Sequence, residues 1–135
     1  KNLEKQFSKK TIFNVYGNGG SSFLDKLRFK IKENKKFKFI ENDWILRDFV
    51  ALDDLFNVFK ILILKKIKKN TFNLASGKSY KLGKIVNKLA KSNQIIFSND
   101  LKFTPYRPIV KADINKLTKA FKLSPNQNIY PYFSE

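Results

Sequence analysis

Residues 11–16, Thr-Ile-Phe-Asn-Val-Tyr, are apolar, β-branched or aromatic at nearly every position, and glycines at 17, 19 and 20 end the run abruptly. A stretch of this kind reads as a buried strand. An apolar strand expects partners on both sides and helices over its faces, so the run points to a layered α/β arrangement. Ser21 or Ser22 then caps a helix over about 23–34, with Phe23, Leu24, Leu27 and Ile31 on one face and Asn34 as a stop.

The alternation continues down the chain. Phe37 to Ile40 alternates lysine with apolar residues as a strand does, Glu41-Asn42-Asp43 turns, and 45–52 reads as a second strand around Arg47. Asp53 caps a helix over about 54–66 that is apolar almost all round, which predicts burial between layers. Residues 71–75 form a short strand, Ser76-Gly77 a turn, and Leu82, Ile85, Val86 and Leu89 an amphipathic helix. Ile95 to Phe97 is a further strand, and 100–108 is a loop holding two prolines. Asp113 caps a short helix through Phe121, and the tail from Ser124 is expected to be irregular and draped on the surface. The fold class is α/β in one unit spanning 1–135, without repeats. Its strands are few and short, and the first needs neighbours that the chain does not supply.

With no Cys and no His, the chain cannot form a thiolate or imidazole metal site, a Cys nucleophile or a His-based triad. That excludes a metal centre of those ligands and most hydrolase chemistry. No apolar run of about 18 residues spans a bilayer and no leader is visible, so the expected location is cytoplasmic, with no membrane partner. The absence of Met leads to the expectation that something precedes Lys1. A net charge of +17, nearly all of it lysine, attracts polyanions at low salt, and a basic single-strand nucleic-acid binder is the alternative reading. Against it, no aromatic strand motif of RNA-binding type is present, and the aromatics fall on predicted core faces.

Gly17-Asn18-Gly19-Gly20-Ser21-Ser22 follows a strand and opens a helix, the setting of a phosphate-cradling loop. The dinucleotide fingerprint needs glycine where Ser22 stands, so the loop reads as a turn with a helix cap and no nicotinamide site is assigned to it. Arg47 offers a planar fork that grips phosphate bidentately and keeps its charge. Its alternatives are a surface arginine or one paired with Asp48. Arg107, between Tyr106 and Pro108, is a second candidate of the same kind.

Phe13-Asn14-Val15-Tyr16-Gly17, Arg47-Asp48-Phe49-Val50-Ala51-Leu52-Asp53-Asp54-Leu55, Phe72-Asn73-Leu74-Ala75-Ser76-Gly77, and Arg107-Pro108 with Ala112-Asp113-Ile114-Asn115-Lys116-Leu117 occur in that order. Together they resemble the NAD-dependent sugar-nucleotide epimerases and dehydratases, the extended group of short-chain dehydrogenases/reductases. The likeness runs over nearly the whole chain. It implies the C-terminal part of a Rossmann-type enzyme, a small mixed α/β substrate-binding lobe that is incomplete on its own. By the same resemblance Asn14, Arg47 and Arg107 contact a nucleoside-diphosphate sugar, chiefly its diphosphate, while Asn73 holds a turn.

Departures from the family pattern are Asn18 for a proline, Glu41-Asn42-Asp43 for a Gly-Asp-Gly turn, Ala75 for a glycine and Ile40 for an aromatic. The family's Gly-rich nucleotide loop and its Tyr-x-x-x-Lys pair have no counterpart in the chain. The resemblance therefore implies NAD or NADP and a homodimer for a complete enzyme, an isomerase or lyase of polysaccharide precursor synthesis. For this chain alone it implies no catalytic residue, no bound cofactor and no specific nucleic acid. An inactive remnant of the family is a further alternative.

Overall fold

The computed structural model describes residues 10–40, 44–65, 71–98 and 108–134. The apolar run that opens the chain is two strands rather than one: β1 (Lys10–Ile12) and β2 (Asn14–Tyr16) are separated at Phe13. β1 pairs in parallel with β5 (Phe72–Leu74), whereas β2 pairs in parallel with β4 (Leu46–Ala51). The chain thus changes partners in mid-run. Phe13 holds the joint, its N–H donating to the Leu74 carbonyl at 3.0 Å. β3 (Phe37–Ile40) pairs in parallel with β7 (Ile95–Ser98), and β6 (Ser79–Lys81) adds to β4 antiparallel.

Helix α1 (Phe23–Lys32) starts from Ser22, whose hydroxyl accepts the Asp25 N–H while the Asp25 carboxylate accepts the Ser22 N–H at 2.8 Å. This reciprocal box satisfies two of the N–H groups that a helix start leaves open. Asn34 follows the helix with φ of 50°, the left-handed conformation that Asn tolerates best after Gly. Helix α3 (Leu82–Leu89) buries Ile85 and Val86, as its spacing predicts, and α4 (Asn115–Phe121) buries Leu117 and Phe121. Asp113 lies just ahead of α4 and accepts the Asn115 N–H at 2.9 Å.

Helix α2 (Leu52–Lys65) differs from expectation in two ways. It begins at Leu52, so Asp53 lies within the first turn, where a negative charge still favours the helix start, and does not cap it. It is also covered on one side only. Leu55 and Val58 are buried, but Phe56, Ile63 and Leu64 are 60%, 73% and 71% exposed. Among the described residues the outer side of α2 has no covering layer.

Strand alternation divides the core in two. Tyr16 and Phe49 point into a cluster with Leu24, Leu27, Ile85 and Val86, while Val15 packs on a second with Leu55, Val58, Phe72 and Leu74. The C-terminal segment is irregular but not superficial: Ile129 is fully buried in the first cluster, and a 3-10 turn (Tyr130–Phe133) closes it. Its apolar spacing is too sparse for periodicity to mark, and single anchors hold it instead. Ile129 fills the core, Tyr130 meets Tyr80 edge-on, and the Tyr80 hydroxyl donates to the Gln127 carbonyl.

Candidate functional site

Asn14 is the first residue after the partner switch at Phe13, at the point where the chain leaves the β1–β5 pair for the β2–β4 pair. The residue therefore stands where two parallel strand pairs meet. Asn14 stands opposite Phe49 on β4, and Arg47 lies two residues before Phe49. The two-residue period of strands puts Asn14 and Arg47 on one face of the sheet, offset by about 7 Å along it. The fold thus brings two of the three candidate residues together. Arg107 lies outside the described residues.

Both side chains already hold backbone. The Asn14 amide donates to the Asp48 carbonyl at 2.9 Å. One terminal nitrogen of Arg47 donates to the carbonyls of Leu46 and Pro108, each at 2.8 Å. Its remaining N–H groups have no partner among the described residues. Burial pushes the Arg47 guanidinium down from its usual value, which leaves it charged at any physiological pH. Arg47 is therefore a half-buried cation anchored on one side, its other N–H groups unpaired among the described residues.

Pairing with Asp48 is not its role. Asp48 is fully buried on the opposite face, where its carboxylate accepts the Ser76 N–H at 2.8 Å, the Ser76 hydroxyl at 2.7 Å and the Gly77 N–H at 2.9 Å. Burial pushes the Asp48 carboxyl above its ordinary value, and the hydrogen bonds from Ser76, Gly77 and Ala112 offset part of that rise. The carboxylate fixes the turn after β5 directly beneath the Arg47 strand. Asn73 adds a second tie, donating to the Asp113 carbonyl at 3.0 Å, in keeping with a turn-holding role.

The loop at 17–22 is closed in the same manner. The Asp25 carboxylate accepts the Gly17 N–H at 3.0 Å, the Ser22 N–H at 2.8 Å and the Tyr132 hydroxyl at 2.7 Å. Burial raises the Asp25 carboxyl, but the hydrogen bonds from Ser22, Tyr132 and Gly17 outweigh it, and the group titrates below its ordinary value. A β-carbon on Gly20 would stand 2.2 Å from this carboxylate, so glycine is required there by close approach. Two N–H groups of the loop, those of Gly17 and Ser22, are thus spent on an internal carboxylate.

The roles of Asp25 and Asp48 as structural acceptors follow from the fold and not from any motif. The available signal was an acid on the buried side of an alternating strand, and Ser22 three residues ahead of Asp25.

No family model matches the chain, and no curated protein matches it in sequence. Solved structures do match, and the likeness is one of fold: a mixed α/β arrangement similar to part of several NAD-bound sugar-nucleotide enzymes. A UDP-glucuronic acid 4-epimerase from Bacillus cereus, in complex with UDP-glucuronic acid and NAD, superposes with a TM-score of 0.77 at 20% identity, over 98% of this chain and 44% of that one. A dTDP-glucose 4,6-dehydratase from Bacillus anthracis, in complex with NAD, gives 0.76 at 14% identity, over 93% and 41%. A putative epimerase from Burkholderia cenocepacia gives 0.72 at 24% identity, over 92% and 43%. The chain spans about two fifths of the length of these structures. Among its described residues no helix is long and apolar enough to cross a membrane, and no cluster of acidic side chains could hold a metal.

Proposed function

We propose that residues 1–135 are the substrate-binding portion of an NAD-dependent sugar-nucleotide epimerase or dehydratase, holding a nucleoside-diphosphate sugar for a nicotinamide carried by residues outside this chain. The observation that carries this reading is the placement of Asn14 and Arg47 on one sheet face at the switch point, within a fold that matches such enzymes over nearly all of its length. Arg47 supplies the fixed positive charge that a diphosphate needs, and its anchoring on Leu46 and Pro108 lowers the entropy lost on binding. Asn14 adds a carboxamide whose oxygen has no partner among the described residues, and Arg107 is assigned a second grip on the phosphates. The chain's part in the reaction is to bind the diphosphate and hold the sugar in a fixed orientation for hydride transfer, which the nicotinamide performs.

Isomerase or lyase outcome, a cytoplasmic setting, polysaccharide precursor synthesis and homodimer assembly belong to this proposal for the complete enzyme. The single tryptophan offers a direct test, because Trp44 is about half exposed and lies three residues before Arg47. Its fluorescence should respond saturably to UDP-glucose or UDP and not to matched sodium chloride. A response to single-stranded oligonucleotide alone, lost steeply with salt, would instead favour the nucleic-acid reading.

A further inference from the structure

Exposure along α2 follows the helix period. Asp53, Phe56, Asn57, Lys60, Ile63 and Leu64 face outward, opposite Leu55 and Val58, which are buried in the second core cluster. Phe56 and Ile63 stand two turns apart on one flank of that outer side, about 10 Å along the axis, and Leu64 widens the patch at its end. Such large apolar side chains on one helix face mark a surface made to be covered.

The placement of charge narrows what covers it. A second copy of the chain would lay α2 on α2 about a two-fold axis, and an antiparallel pair centred on the patch brings Lys60 against Lys60. The nearest acid on that face, Asp53, is two turns away, and each molecule carries a net charge of +17. A lipid surface suits an apolar face bordered by lysines, whereas Lys60 lies inside the patch, between Phe56 and Ile63.

The sheet beneath α2 points to polypeptide instead. Helices α2 and α4 cover one face of the β1–β5 pair, meeting Phe72 and Leu74 of β5. Among the described residues β1 has β5 alone beside it, and its Ile12 is 47% exposed, although parallel strands expect neighbours on both sides. A strand added beyond β1 brings its own covering helix alongside the layer that holds α2, at the usual spacing of about 8–10 Å between helix axes. This chain covers 44% of the epimerase that superposes on 98% of it, so more than half of that structure has no counterpart here.

We infer that the flank of Phe56 and Ile63 is a docking face for a helix of the polypeptide that carries the nicotinamide, one that continues the layer over β1 and presents apolar side chains with an acid opposite Lys60. The inference rests on the function proposed above for the identity of that polypeptide, and adds the surface through which the two parts meet.

The chain contains no cysteine, so Phe56→Cys and Ile63→Cys each place a single thiol on the flank. Phe29→Cys provides a control on α1, where Phe29 is 53% exposed. Maleimide labelling is compared between the chain alone and a cysteine-free chimera in which this chain replaces the matched part of the Bacillus cereus epimerase. In the NAD-bound chimera the thiols of Phe56→Cys and Ile63→Cys should react about tenfold more slowly or less, and that of Phe29→Cys at an unchanged rate. Equal rates at all three positions overturn the inference. Slowing in the chain alone that grows with its own concentration overturns it in favour of a second copy, and slowing by phosphatidylglycerol vesicles in favour of lipid. In the chain alone, Phe56→Gln with Ile63→Gln should leave the urea midpoint unchanged, and a lowered midpoint overturns the inference by placing the flank in this chain's own core. UDP-glucose binding through Arg47 in a chimera whose α2 thiols stay reactive rejects the docking face alone. Protected thiols in a chimera that does not bind UDP-glucose reject the diphosphate reading alone.

Discussion

Two turns in this molecule are closed by a buried carboxylate, and they are built in opposite ways. Asp25 closes the glycine loop from eight residues away or fewer, inside one local box at the start of α1. Asp48 closes the Ser76–Gly77 turn from 28 residues away, across the central sheet. The local acid is partly reached by water and its hydrogen bonds win, so it titrates low; the remote acid is sealed in and burial wins, so it titrates high. One device therefore serves two ends. Asp25 shapes a loop, while Asp48 ties the strand that carries Arg47 to the turn beneath it.

Removing Asp48 should have the largest effect. Asp48→Ala leaves two N–H groups and a hydroxyl without their buried acceptor, and should cost about 3 kcal/mol or more in urea unfolding. Asp25→Ala should cost about 2 kcal/mol, since it breaks the capping box and the tie to Tyr132 while leaving the freed groups nearer to water. Equal losses at the two positions would erase the distinction between remote and local closure. Gly77→Ala should follow at about 1–2 kcal/mol, because its φ of 80° disfavours any side chain and a β-carbon would meet Ile114 at 2.8 Å.

The pH dependence sharpens the same contrast. The low-titrating Asp25 contributes stability that is complete above its ordinary unfolded value and is lost as pH falls through its lowered folded value. Asp48 runs the other way: between its ordinary value and its raised folded one, the folded chain holds the extra proton, so stability falls as pH rises. Asp25→Asn should flatten the acid limb of a stability profile, and Asp48→Asn should remove the decline just above it. Changes of the same sign in both variants would contradict the opposed titrations.

Much of the layout was legible in the sequence because it rests on local signals. Leu24 and Leu27 fall on the buried side of a helix that stops where Asn34 predicts, and Ile85 and Val86 do the same in α3. Partner choice was not legible. Nothing in Thr11–Tyr16 marks Phe13 as the point where pairing passes from β5 to β4, since periodicity encodes faces and not neighbours. β6 was missed because Ser79–Lys81 has no apolar alternation and is a strand through its register with Leu46–Asp48. The exposed side of α2 and the buried Ile129 are likewise decided by tertiary neighbours. At the candidate site the identities of Asn14 and Arg47 could be read from motif resemblance, but their shared face, their backbone anchors and the acid beneath them needed the fold.

Calorimetric titration of UDP-glucose into the chain and into Arg47→Ala tests the central claim most directly. Saturable binding that weakens by about 1.5–3 kcal/mol in the variant is the predicted result, the worth of a hydrogen bond to a charged group. Affinity unchanged by the loss of Arg47, or no binding to the unaltered chain, would contradict it.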